Sequence, residues 1–271
     1  MRYIQATIEC TENSQREILT ALLAEAGYEG FEETDDALLA FIDETTFEET
    51  ELAQITATCS ARYSLTAIEQ QNWNAQWESS FEPVIIKDFA AVRAGFHAPV
   101  PGVQYEVVIT PKMSFGTGHH ATTFLMMQQM GTISFTGKKV FDFGTGTGVL
   151  AILADKMGAA AVDAIDNDDW SIENTKENIV ANNCSNINTW KAETIDTPDQ
   201  YDVILANINL NVLLAHMRAI AAICKPGALV LFSGILVNDE SQLKAAAETN
   251  GLIFNDIRER NGWLCIKAAK S

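Results

Sequence analysis

The chain has 271 residues, 47% hydrophobic and 8% aromatic, which is ample for a packed core and too apolar for a disordered or fibrous protein. Thirty-six acidic against eighteen basic side chains give a formal charge of −18, a field that repels phosphate backbones and anionic membrane surfaces and disfavours a general nucleic-acid binder. No apolar run approaches the ~18 residues of a membrane helix, and Met1–Thr11 lacks the basic flank and apolar stretch of a signal peptide, so a soluble cytoplasmic protein is expected.

Along the chain, Tyr3–Cys10 alternates, with Ile4, Ala6, Ile8 and Cys10 on one face, as in a half-buried strand. A helix follows: Ser14 and Glu17 form a capping box, Ile18, Leu19, Leu22 and Leu23 make the apolar stripe, and Gly27 supplies the stop. Tyr28–Glu32 and Ala37–Asp43 read as strands, Thr46–Thr58 as a second helix, and Arg62–Ile68 as a last strand. The order β-α-β-β-α-β predicts a small ferredoxin-like α+β domain over residues 1–69, with an antiparallel sheet and both helices on one face. Residues 1–70 hold fifteen acids and three bases, net −12, which sets this part of the chain apart from the rest.

Residues 70–104 read as a linker: Gln70–Ser80 as a connecting helix that lays Trp73 and Trp77 on one side, then connecting strands with a turn at Pro101–Gly102. From residue 105 to 271 strands and helices alternate, including Thr122–Gln129, Val149–Met157, Trp170–Asn182, Leu210–Cys224 and Ser241–Glu248 as helices. That alternation predicts an α/β domain whose parallel sheet is covered on both faces. The five cysteines are far apart and never spaced C-x-x-C, so reduced core thiols are expected rather than disulfides or a zinc site.

Val140–Leu150 reads V-F-D-F-G-T-G-T-G-V-L, an apolar strand running into a glycine turn and then a helix. Such a turn lets backbone approach a ligand where a Cβ would collide. Asp166 closes the next strand, 22 residues beyond Gly144, where a carboxylate can accept both hydroxyls of a ribose. Val149 stands where G-x-G-x-x-G would need its third glycine, and no G-x-x-x-x-G-K-S/T occurs, so pyrophosphate and triphosphate ligands are disfavoured. Asp142, just before the turn, would add negative charge near a cofactor's amine end. S-adenosylmethionine, with ribose hydroxyls, a sulfonium, an amino-acid tail and no phosphate, satisfies these features.

Asp142–Gly148 with Asp166 resembles the first two motifs of the seven-stranded Rossmann-like methyltransferases. Ser114–Thr123 (S-F-G-T-G-H-H-A-T-T), with Leu205-Ala206-Asn207-Ile208 and Ser233-Gly234-Ile235-Leu236, is similar to the bacterial protein methyltransferase A family. Its members methylate the large-subunit ribosomal protein L-eleven (L11). The resemblance covers nearly the whole chain, since that family also carries a ferredoxin-like recognition domain and a tryptophan-bearing linker. It implies a Rossmann-like methyltransferase domain over residues 105–271, preceded by a substrate-recognition domain over 1–69. It further implies cofactor contacts at Thr123, Gly144, Asp166 and Asn207, with Gly146 as a backbone neighbour. The implied reaction is methyl transfer from S-adenosylmethionine to lysine side chains and the N-terminal amine of L11. A monomer is expected, and the charge and composition speak against membrane or direct nucleic-acid contact. Thr145 falls where relatives vary, and Asn209-Leu210 departs from them next to the acceptor pocket.

Read as chemistry, Asn207 ends a strand at the carboxyl edge of the sheet and can offer carbonyl oxygens to an amine. His119 and His120 are adjacent and diverge, with no other ligand at a short spacing, so no metal is expected. Their loop reads instead as one that folds over the cofactor's methionine end, with Gly116 and Gly118 allowing movement. Thr122-Thr123 begins a helix, where a hydroxyl either caps or turns to the ligand. No residue identifies itself as a general base. Methyl transfer to RNA or to a small molecule, and a non-catalytic S-adenosylmethionine-binding module, remain alternatives; an NAD-dependent dehydrogenase is disfavoured by Val149.

Overall fold

A computed structural model of the protein describes residues 2–34, 36–69, 82–112 and 115–271. The chain divides into two compact units, Met1–Ser80 and Phe81–Ser271.

The first unit runs β1 (Arg2–Glu9), α1 (Asn13–Glu25), β2 (Gly30–Glu33), β3 (Ala37–Asp43), α2 (Glu49–Thr58) and β4 (Tyr63–Glu69). Its sheet has the order β2-β3-β1-β4, antiparallel throughout, in keeping with the predicted β-α-β-β-α-β order. The period of two decides which face is inside: Ala6 and Ile8 of β1 with Leu38, Ala40 and Ile42 of β3 pack against Leu19 and Leu23 of α1 and Leu52 of α2. Both helices therefore cover one face. Gly27 stops α1 at φ +90°, with the Tyr28 N–H returning to the Leu23 carbonyl at 3.0 Å.

Two helix starts differ from the sequence reading. The N-cap of α1 is Glu12, whose carbonyl accepts from the N–H groups of Gln15 and Arg16, so Ser14 falls inside the first turn and the Ser14–Glu17 capping box does not mark the start. The second helix begins at Glu49 rather than Thr46. Asp43 Oδ1 accepts from the Thr45 N–H at 2.8 Å and from its hydroxyl at 2.7 Å, and this Asx turn competes with helix over those residues. The expected helix Gln70–Ser80, with Trp73 and Trp77, lies outside the described residues.

In the second unit β5 (Val84–Ile86), β6 (Ala90–Ala94) and β7 (Tyr105–Ile109) form a small sheet, antiparallel then parallel. The main sheet has seven strands in the order β10-β9-β8-β11-β12-β14-β13. These are β8 (Lys139–Phe143), β9 (Ala161–Asp166), β10 (Ile187–Lys191), β11 (Tyr201–Asn207), β12 (Cys224–Leu236), β13 (Leu252–Arg260) and β14 (Trp263–Lys270). Only β14 runs against the others. The helices are α3 (Ala121–Met130), α4 (Val149–Lys156), α5 (Asp169–Ala181), α6 (Leu210–Ala222) and α7 (Glu240–Thr249).

Successive residues of the central strands feed opposite cores. Val140 and Leu205 pack with Val149, Ile152 and Met126 on one side, while Phe141, Ile204 and Phe232 pack with Leu213 and Leu243 on the other. Strands buried on both faces explain the unbroken apolar runs in the sequence. Ile86, Ala90 and Val92, read in sequence as connecting strands, belong to the same core as Val140 and Val149. The order reverses between β8 and β11, and at such a switch point the carboxyl ends of neighbouring strands leave a crevice. Phe143, Asp166 and Asn207 end β8, β9 and β11 beside it. Among the described residues no helix is long and apolar enough to cross a membrane, and all five cysteines are free.

Candidate active site

From β8 the chain enters the turn 144–148, which is tied to β9 by the N–H groups of Gly144 and Thr145, both donating to the Ile165 carbonyl at 2.9 Å. Gly144 sits at φ +79°, and a Cβ there would overlap the Ile208 side chain. Gly146 sits at φ +58°, where a Cβ would overlap the Phe115 carbonyl oxygen. Glycine is required at both by backbone conformation and by space.

Asp166 is held by two backbone donors: Oδ2 accepts from the Gly146 N–H at 2.9 Å and Oδ1 from the Asp168 N–H at 3.1 Å. A carboxylate has about four acceptor sites, so each oxygen keeps capacity for a ligand hydroxyl. Across the crevice, Asn207 Nδ2 donates to Thr123 Oγ1 at 3.3 Å, and Thr123 is fully buried at the start of α3. That bond orients the amide and leaves Asn207 Oδ1 buried with no hydrogen-bond partner. An unpaired buried acceptor is costly, so it marks a place for a donor.

The cap of α3 is His120. Its Nδ1 accepts from the Thr122 N–H at 3.4 Å and lies 2.8 Å from Thr122 Oγ1, which frees the Thr123 hydroxyl for Asn207. The imidazole ring meets Phe115 at 5.2 Å and Trp263 at 4.8 Å between centroids, both edge-on. His119 diverges from it, with Nε2 2.8 Å from the Glu82 carbonyl.

These groups surround a cavity of about 470 Å³, within the range of small-molecule sites. Thr123, Gly144, Gly146, Asp166 and Asn207 all line it. Among the described residues, Asp166 and Glu193 are its carboxylates and no Lys or Arg lines it, an electrostatic setting suited to a cationic ligand without phosphate.

Asp142 departs from its expected place. It is fully buried and does not line the cavity; the Thr145 hydroxyl donates to its Oδ2 at 2.7 Å. Burial pushes its pKa up to about 7, opposed by the hydrogen bond from Thr145, with the Asp166 charge adding to the rise. It therefore supports the turn from beneath. Trp263 and Glu193 were not read as site residues in the sequence. Antiparallel pairing of Leu236 with Trp263 carries the indole to the cavity from the last hairpin, and no local motif marks it.

Residues 4–271 match the family described as ribosomal protein L11 methyltransferase (PrmA). A protein of Phocaeicola vulgatus named ribosomal protein L11 methyltransferase is 37% identical over 278 residues, covering 98% of this chain and 99% of that one. Its namesake from Chlorobaculum tepidum is 40% identical over 244 residues, covering 84% and 83%. The crystal structure of a ribosomal protein L11 methylase from Lactobacillus delbrueckii subsp. bulgaricus superposes with a TM-score of 0.66 at 27% identity, over 70% of this chain and 100% of that one. The chain belongs to the ribosomal protein L11 methyltransferase family.

Proposed function

We propose that the protein transfers methyl groups from S-adenosylmethionine to amino groups of L11, both lysine side chains and the N-terminal amine. The observation that carries this reading furthest is the unpaired, buried Asn207 Oδ1 in a cavity lined, among the described residues, by carboxylates and no Lys or Arg. An acceptor so placed suits the donors of an amine. The residues fit S-adenosylmethionine, the cofactor of this methyltransferase: Asp166 would take the ribose hydroxyls, the Gly144–Gly146 backbone would lie along it, and Thr123 with Asn207 would face its amino-acid end. When bound, it supplies a methyl carbon activated by a sulfonium.

The chain's own task is then to present a neutral amine in line with that carbon. A free lysine of pKa ~10.4 is less than about 0.1% neutral at pH 7. Phe115 and Trp263 give the cavity an apolar wall, and desolvation there favours the uncharged amine. Asn207 Oδ1 can accept one of its N–H groups and so fix where the lone pair points. His120 Nδ1 is engaged by the Thr122 N–H at 3.4 Å and lies 2.8 Å from the Thr122 hydroxyl, so that nitrogen is committed to capping α3.

The net −12 of residues 1–70 supports recognition of a basic ribosomal protein by the first unit, with the chemistry in the second. We place the reaction in the cytoplasm, with the protein acting as a monomer and without nucleic-acid contact. The test is intact-mass spectrometry of purified large-subunit ribosomal proteins incubated with the enzyme and methyl-labelled S-adenosylmethionine. Whole multiples of one methyl group on L11 alone are expected. Label on RNA, or on no ribosomal protein while calorimetry still shows cofactor binding, would overturn the substrate.

A further inference from the structure

Thr147 is fully buried and does not line the cavity, yet all its polar groups are engaged. Its N–H donates to the Phe115 carbonyl at 2.9 Å, its hydroxyl donates to the Gly116 carbonyl at 2.7 Å, and its own carbonyl accepts from Asn178 Nδ2 at 2.8 Å. Asn178 Oδ1 in turn accepts from the Thr110 N–H at 2.8 Å, and Asn174 Nδ2 donates to the Thr110 carbonyl at 3.1 Å. The chain leaving β7 at Thr110 and the chain reaching the cavity at Phe115 are thus tied to one network that runs from α5 to the glycine turn. Gly116, at φ +109°, is where a Cβ would come within 2.8 Å of Thr147 Oγ1, so the close approach depends on that glycine.

The other bonds of the turn do not use the Thr147 hydroxyl. Gly144 and Thr145 are held by Ile165, and Gly146 by Asp166 on one side and, through its carbonyl, by Thr175 Oγ1 at 2.8 Å on the other. Among the described residues the hydroxyl bonds the Gly116 carbonyl alone, next to the Phe115 carbonyl that the Thr147 N–H holds. Phe115 is 52% exposed as a residue, lines the cavity and meets His120 with its ring; His120 in turn meets Trp263.

We infer that Thr147 is a positioning residue for the acceptor, its hydroxyl holding Phe115–Gly116 so that the Phe115 ring stands as the wall against which the acceptor amine's apolar stem lies. This rests on the proposed methylation of L11. Removing the hydroxyl would leave the buried Gly116 carbonyl without its donor and loosen the wall at that end, while the Thr147 N–H bond to the Phe115 carbonyl and the bonds of the cofactor turn stay in place.

The test compares full-length wild type, Thr147→Val and Thr147→Ser. In Thr147→Val, kcat/KM for L11 should fall about tenfold, mainly through KM, while the calorimetric Kd for S-adenosylmethionine stays within about threefold. Hydrogen exchange of the 115–120 amides, measured with cofactor and no acceptor, should quicken about tenfold, and Thr147→Ser should restore both the acceptor KM and the exchange. Phe115→Leu, which leaves the Thr147 bonds intact, should reproduce the acceptor defect at a similar cofactor Kd. Wild-type exchange in Thr147→Val, a cofactor Kd weakened as much as the acceptor KM, or an unchanged acceptor KM in Phe115→Leu would each overturn the inference. If wild type itself leaves L11 unmethylated, the substrate reading fails, and the exchange difference still reports on the Thr147 hydroxyl alone.

Discussion

Two carboxylates, 24 residues apart in sequence, have opposite characters because of what surrounds them. Asp166 faces the cavity and is fixed by the N–H groups of Gly146 and Asp168. Its expected bonds to ribose hydroxyls are charge-assisted and worth ~1.5–3 kcal/mol each, so Asp166→Ala should weaken S-adenosylmethionine binding at least about tenfold by calorimetry. Unaltered affinity would remove Asp166 from the site. Asp142 is sealed beneath the turn and holds its proton up to about pH 7. An unfolded aspartate releases it near ~3.9. Between those values the native state binds more protons than the unfolded one, so this group lowers stability as pH rises from about 4 to about 7 and adds no further slope above. Asp142→Asn can still accept from Thr145 and removes the titration. Relative to wild type it should gain stability by up to about 1.4 kcal/mol per pH unit across that window in denaturant titrations; parallel pH profiles for the two proteins would show that the native carboxyl ionises near its ordinary value.

At the scale of elements, α5 shows how a polar stripe can be structural. Asn174, Asn178 and Asn182, the last of them the C-cap of the helix, recur every four residues and are all buried. They face β7, which lies at the end of the small sheet and has backbone groups with no strand to pair with. Asn182 Oδ1 accepts from the Val108 N–H at 2.9 Å and its Nδ2 donates to the Val108 carbonyl at 2.6 Å, as an adjoining strand would. Asn182→Ala leaves a donor and an acceptor of Val108 unpaired, at ~1–3 kcal/mol each, so a loss of about 2–6 kcal/mol in unfolding free energy is expected. A loss under about 1 kcal/mol would mean that water takes over both bonds. No local motif marks these asparagines, because their partners at Val108 and Thr110 lie more than sixty residues away.

At the scale of the molecule, each unit has its own hydrophobic core, and the residues that line the cavity all come from the second. Deleting residues 1–69 should therefore abolish methylation of L11 and leave cofactor affinity within about threefold. Full turnover of L11 by the truncated chain would take recognition away from the first unit. If the net −12 of residues 1–70 steers a basic substrate, the KM for L11 should rise with ionic strength while the cofactor Kd changes little. Equal salt responses would point to the second unit.

The element order, the glycine turn, Asp166 and Asn207 were legible in the sequence because each depends on local chemistry. Period distinguishes strand from helix, only glycine tolerates the backbone at 144 and 146, and a polar residue ending an apolar strand of an open α/β sheet has the crevice beside it. Tertiary structure decided the rest. It paired Asn207 with Thr123 and so left one oxygen unpaired, gave the helix cap to His120, carried Trp263 to the cavity from the last hairpin, and sealed Asp142 away from solvent. These outcomes depend on distance and burial between residues far apart in the chain, and a hydrogen bond or a desolvated charge has its energy only once the fold has brought both partners together and removed the water.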